Sequence, residues 1–215
     1  GPRGWRLVNI MAAAAKTFTG LVSRRGRYRT GRMQFGSTAG KAVRDAIACR
    51  EVLHRRARKS GLTVVKTSYD FREAYPSVKH EKMREEYSKE DSEAGYAKRL
   101  ILWSYEQGLA SLPLGDGEQL VLGVRRGVRQ GDSAGPAAFR DAFVQVQTAA
   151  NVRMAERGLH EVSASGVDVW GEVERIVLNS QAYVDGNRRW QAVQTNKVEE
   201  LGALFEQMKR SMEEA

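Results

Sequence analysis

Apolar residues recur at helical spacing over several stretches of the chain. From Lys41 to Ser60 they fall at Ala42, Val43, Ala46, Ile47, Cys49 and Leu53, while Arg44, Arg55, Arg58 and Lys59 fall mostly elsewhere. This spacing predicts an amphipathic helix with that stripe buried, Ser37 or Thr38 capping its start and Gly61 its end. Leu62 to Tyr69 changes to β-type residues around Val64 and Val65 and predicts a strand. Pro76 sits where a proline opens a helix, one running on through Val78, Met83 and Tyr87. Further helices are expected over Met11 to Ser23, Ala94 to Gln107, Ala137 to Arg157 behind Pro136, and Val198 to Met212. Strands are expected at Leu112 to Leu114 and Gln119 to Val124 about a Gly115-Asp116-Gly117 turn. Two more fall at Val167 to Trp170 and Val173 to Tyr183, ahead of an Asp185-Gly186-Asn187 turn. No repeat or low-complexity linker interrupts the pattern. The expectation is one α+β domain.

Composition narrows the function classes. The chain has 215 residues, 41% hydrophobic and 28% charged, which describes a globular protein. No run approaches the ~20 apolar residues of a bilayer span, so no membrane role is expected. A single cysteine, Cys49, excludes an internal disulfide and a multi-cysteine metal cage. The apolar run Leu7 to Ala15 has a signal peptide's flavour but contains Asn9 and continues into Lys16. It is read as a buried helix or strand start. The opening at Gly1 suggests a piece of a longer product.

Charge is distributed unevenly. The net +9 arises from residues 1–60, where 15 Lys and Arg face two acids. The remaining residues hold 20 basic against 24 acidic side chains. A field of this shape attracts polyanions, nucleic acid foremost.

Several familiar motifs fail. Gly36-Ser37-Thr38-Ala39-Gly40-Lys41 departs from a phosphate loop because only three residues separate its glycines and Ala42 follows the lysine. A capped helix start is the simpler reading. Two aspartates stand apart: Asp70 ends a strand-like run, and Asp185 follows Tyr183-Val184. Each alone reads as a turn residue. Carboxylates at strand ends can also converge on one edge and hold hard divalent cations, because magnesium takes much of its shell from water and phosphates.

Residues 70–78, Asp-Phe-Arg-Glu-Ala-Tyr-Pro-Ser-Val, resemble the first catalytic motif of reverse transcriptases. Residues 127–139, Gly-Val-Arg-Gln-Gly-Asp-Ser-Ala-Gly-Pro-Ala-Ala-Phe, resemble that family's second palm motif, and Ala182-Tyr183-Val184-Asp185-Gly186 its [FY]-x-D-D turn. Trp5-Arg6-Leu7-Val8 and Met33-Gln34-Phe35-Gly36 through Asp45-Ala46-Ile47 are similar, more weakly, to fingers segments of LINE-type (non-LTR) retrotransposon and group II intron enzymes. The motifs come in the family's order. The resemblance implies a palm, an antiparallel sheet packed on helices (63–215), behind a partial basic fingers segment (1–62), with the chain stopping before a thumb.

It also implies roles. Asp70 and Asp185 would be the catalytic metal ligands, joined by the Phe71 carbonyl, for two Mg²⁺ ions, with Mn²⁺ as a substitute. Glu73 and Ala74 would offer amides to the triphosphate, and Tyr75 would lie beneath the sugar and disfavour a 2′-hydroxyl. Gln130 and Gly131 would line the nucleotide pocket, and Arg6 and Lys41 would meet triphosphate or template phosphates. The implied activity is RNA-directed DNA polymerisation, a nucleotidyl transfer from deoxynucleoside triphosphates to a DNA primer on an RNA template. Further polyprotein domains are expected as partners.

Gly186 stands where the family's turn has its second aspartate, Ser133 where it has proline, and Gly135 where it has serine. The loss of a carboxylate at Gly186 opens an alternative: a decayed palm that binds RNA or an RNA/DNA hybrid without polymerising.

Overall fold

The computed structural model describes residues 11–31, 34–71, 73–157, 162–167, 173–178, 180–183, 186–194 and 199–214; from 162 to 194 and at 70 it describes the backbone alone. Helices and antiparallel strands mix along the chain, as expected of an α+β protein: α1 (Ala13–Arg25), α2 (Val43–Lys59), β1 (Leu62–Asp70), α3 (Ala74–Ser77), α4 (His80–Ser88) and α5 (Glu93–Glu106) come first. They are followed by β2 (Leu109–Gly115), β3 (Glu118–Gly123), α6 (Gly135–Glu156), β4 (Val162–Val167), β5 (Val173–Leu178), β6 (Ser180–Tyr183), β7 (Gly186–Gln194) and α7 (Leu201–Glu213). The chain forms two compact units, residues 1–29 with 72–142, and 30–71 with 143–215. Helix α6 contributes to both.

In the first unit, α5 starts cleanly because the Ser92 hydroxyl accepts from the Gly95 amide at 3.1 Å. Gly95 has no Cβ because one would overlap the Glu90 carbonyl. Its inward face carries Ile101, Leu102 and Tyr105, each at most 2% exposed, against α1 and α4. Lys98 is buried on the same face, its ammonium donating to Glu90 at 2.8 Å and lying over the rings of Tyr28 and Tyr87. The amide and the guanidinium of Arg29 both donate to Asp141, at 2.6 and 3.0 Å, and Asp141 is fully buried on α6. Burial pushes the hydroxyl pKa values of Tyr28, Tyr87 and Tyr105 upward; Asp141 adds to this at Tyr87, and Asp132 at Tyr105.

The expected helix behind Pro76 is two helices. Val78 and Lys79 are extended between them, and the Val78 carbonyl accepts from the Gly127 amide at 2.7 Å. Nor is the start of α1 buried: Ala13, Ala14 and Ala15 face outward, whereas residues 7–10 lie outside the described residues.

The second unit holds a three-stranded antiparallel sheet, order β1-β7-β6, with β4 and β5 paired separately. Here α2 departs from its predicted stripe. Leu53 and Ala57 are its buried residues, and Val43 and Ile47 are each 48% exposed. Its cap differs too: the Asp45 carboxylate accepts from the Ala42 amide at 2.7 Å, so neither Ser37 nor Thr38 is the N-cap. Gly61 does follow the helix at φ 68°, the left-handed turn that frees the chain to enter β1. Arg157 closes the end of α6 onto α7, donating to Ser211 at 2.8 Å and Glu214 at 2.6 Å.

Candidate functional site

The strand pairing of the second unit brings two of the sequence's three motifs together. β1 runs antiparallel to β7 over nine residue pairs, from Leu62 opposite Gln194 to Asp70 opposite Gly186. β6 pairs with β7 in turn, Tyr183 opposite Gly186. Only residues 184 and 185 therefore separate β6 from β7, and the expected Asp185-Gly186-Asn187 turn is corrected: Gly186 and Asn187 belong to the strand. The last residue of β1 faces the residue that follows Asp185 in the chain. Asp185 itself lies outside the described residues, as does Arg6. Phe71, next after Asp70, sets its ring edge-on against Phe143 at 5.1 Å, which anchors the backbone at the strand's exit.

The donor types suit a hard cation. Carboxylates are oxygen donors of the kind Mg²⁺ takes, with phosphates and water completing its shell. Among the described residues no group of three metal-ligating side chains occurs. Lys41 lies in this same unit. Its ammonium donates to the Gly31 carbonyl at 3.3 Å and sits over the Phe35 ring at 5.4 Å.

The first unit holds the other predicted residues. Glu73 immediately precedes α3 at φ 54°, ψ 42°, a left-handed conformation that costs a non-glycine residue about 1 kcal/mol or more. Such strain persists only where the surroundings enforce it, and here they are well defined. Ala74 is buried, and the Tyr75 ring lies flat on Phe139, 4.8 Å between centroids and 11° between planes. The Tyr75 carbonyl accepts from the Val128 amide at 3.0 Å. The stretch from Gly127 to Ala134 that carries Gln130 and Gly131 is fixed from several sides. Arg129 donates to the Ser104 carbonyl at 2.6 Å and stacks over Tyr105, and the Asp132 carboxylate accepts from the Ala134 amide at 3.1 Å just ahead of α6. Gly131 adopts φ 93°, which side chains disfavour. Glu73, Ala74, Tyr75, Gln130 and Gly131 thus fall in one unit, and Asp70, Phe71 and Lys41 in the other.

One set of residues escaped the sequence reading. Ala13, Lys16, Thr17, Gly20, Leu21 and Arg24, on one face of α1, line a cavity of about 500 Å³ together with Ser133. The Ser133 hydroxyl donates to the Lys16 carbonyl at 3.3 Å. The signal was present as Lys16, Gly20 and Arg24 at four-residue spacing, with glycine keeping the middle of the groove low.

No family model matches this sequence, and no curated protein does. Among solved structures, apo telomerase from Candida tropicalis, truncated from its C-terminal domain, is similar over 91% of this chain, with a TM-score of 0.55 and 14% identity. The fold is telomerase-like. The chain spans 36% of that neighbour's length. At this identity the likeness concerns the fold, and the LINE-type assignment is left to the motifs. Among the described residues no helix is long and apolar enough to cross a membrane.

Proposed function

We propose that this chain is the fingers-and-palm portion of an RNA-directed DNA polymerase of the LINE-type kind, adding deoxynucleotides to a primer 3′-hydroxyl. The observation that carries this reading is the pairing of Asp70 with Gly186, which puts the end of the first motif's strand against the residue after Asp185. Three motifs in family order and a telomerase-like fold support it.

In this reading Asp70, Asp185 and the Phe71 carbonyl hold the cations. Bound Mg²⁺ would neutralise charge on the phosphoryl oxygens and lower the pKa of the attacking hydroxyl. The amides of Glu73 and Ala74 bind triphosphate oxygens, the Tyr75 ring excludes a 2′-hydroxyl, and Gln130 and Gly131 border the base. Lys16 and Arg24 are added to Arg6 and Lys41 as contacts for template phosphates.

A second reading has a specific observation behind it. Gly186, opposite Asp70, has no side chain to offer a metal. A palm with this deficit binds RNA or hybrid duplex and polymerises slowly or not at all. Primer extension on an RNA template with Mg²⁺ or Mn²⁺ separates the two. The polymerase reading expects weak extension that Asp70→Asn abolishes and Gly186→Asp raises at least tenfold. If Gly186→Asp leaves extension undetectable while the chain binds hybrid duplex tightly, the binding-only reading stands and polymerisation is rejected.

A further inference from the structure

His80 opens α4 with its ring 4% exposed, and the sequence gives it no evident part in chemistry. Its Nε2 lies 2.7 Å from the Gly127 carbonyl oxygen, and its ring stacks at 26° to that of Tyr105, 6.3 Å away. A carbonyl oxygen can only accept, so Nε2 carries the hydrogen and donates.

The peptide it grips is the one that holds Tyr75. Gly127 C=O and Val128 N–H belong to one rigid plane. The carbonyl side accepts from His80, and the N–H side donates to the Tyr75 carbonyl at 3.0 Å. On the other side of Gly127, its own amide donates to Val78 at 2.7 Å. The two backbones run so close that a Cβ on Gly127, at φ 92°, would lie 2.9 Å from the Pro76 Cα. Tyr75 is therefore fixed twice, through its backbone by the 127–128 peptide and through its ring by Phe139.

We propose that His80 is a positioning residue for nucleotide selection, locking the 127–128 peptide so that the Tyr75 ring cannot retreat from a 2′-hydroxyl. The inference rests on Tyr75 being the residue beneath the sugar. A ring excludes an extra oxygen by refusing to move, and a displacement of about 1 Å decides whether it does. Without the His80 donor the Gly127 carbonyl is left buried and unpaired. The peptide plane can then turn and carry the Val128 amide away from Tyr75.

The test is an equilibrium titration of the chain, assembled on an RNA template–DNA primer with uracil as the next templating base, with dATP and with ATP. Wild type should prefer dATP. His80→Phe, which keeps a ring against Tyr105 but cannot donate, should lower the preference about fivefold to tenfold, chiefly by admitting ATP. His80→Gln, whose terminal amide reaches the same carbonyl, should restore most of it. If the Phe variant does not fold, His80→Asn serves, since its amide falls at the Nδ1 position and stops short of Gly127. A merely structural histidine would lower the melting temperature and leave the dATP:ATP ratio of the folded protein unchanged. That result, or a Gln variant as permissive as the Phe or Asn one, overturns the proposal. A wild-type chain that binds both nucleotides equally rejects the role of Tyr75, and this inference with it. A wild-type preference that the His80 variants leave intact rejects the inference alone.

Discussion

The two units place their candidate residues by different physics. In the second unit Asp70 is placed by a β ladder: nine successive pairs fix which residue of β7 it faces, and no single side chain sets that register. In the first unit Tyr75 and the stretch carrying Gln130 are placed by individual bonds: His80 to Gly127, Val128 to Tyr75, Arg129 to Ser104, and Asp132 to Ala134. A ladder distributes the load over many weak contributions. A set of buried polar contacts concentrates it, so one substitution in the first unit should matter more than one along the ladder.

The largest effect is expected where that concentration is greatest. Asp141→Ala removes the buried acceptor of both Arg29 bonds and should cost about 3–5 kcal/mol in urea unfolding, more than any single substitution among the exposed positions of β1. Leu53→Ala, in the fully buried contact of α2, should cost about 2–4 kcal/mol. A loss below 1 kcal/mol there would mean that α2 is less well packed than described.

pH sharpens the same contrast. Tyr28, Tyr87 and Tyr105 all belong to the first unit, and burial holds their folded pKa values above that of the unfolded chain. Their contribution is therefore intact below about pH 10 and is lost as pH rises from there toward the folded values, by up to about 1.4 kcal/mol per pH unit for each tyrosine. Urea midpoints measured from pH 8 to 11 should fall steeply above pH 10. Tyr87→Phe and Tyr105→Phe should flatten the fall; an unchanged slope would contradict the burial of these hydroxyls.

Smaller effects follow at the surface. Lys16→Ala with Arg24→Ala should weaken RNA binding several-fold at low salt and reduce the slope of log affinity against log salt by about 1–2. An unchanged slope would remove the α1 groove from the template path. Glu73→Gly should stabilise the fold by roughly 1 kcal/mol by relieving a left-handed glutamate, without strengthening nucleotide binding. Smallest of all is Val121→Thr. β3 is exposed along its whole length, with Val121 55% exposed, and the change should stay within about 0.5 kcal/mol.

How far the sequence could be read varied by element, with reasons. The bounds of α5 and α6 differ from the periodic pattern by one or two residues, because a wide apolar face packed on one side leaves its signature in order. The burial of α2 was misread. Helical spacing shows that Val43 and Ile47 could face a core, but it cannot show that the neighbours reach only as far as Leu53 and Ala57. Asp185-Gly186-Asn187 has turn composition, yet Gly186 pairs with both Tyr183 and Asp70, and ladder bonds outweigh the local preference. The helix behind Pro76 breaks at Val78 because a glycine amide some fifty positions away takes its carbonyl.

The sequence by itself determined the chemistry on offer: a basic first quarter, two aspartates at strand ends, a tyrosine within the first motif, and glycine where a second turn carboxylate would stand. These are matters of residue identity and order along the chain. Only the tertiary structure decided that Asp70 faces Gly186, that Lys16 and Arg24 share a groove with Ser133, and that His80 grips the peptide holding Tyr75. Each of these depends on residues tens of positions apart coming within bonding distance, which periodicity and propensity cannot encode because both act only over a few residues.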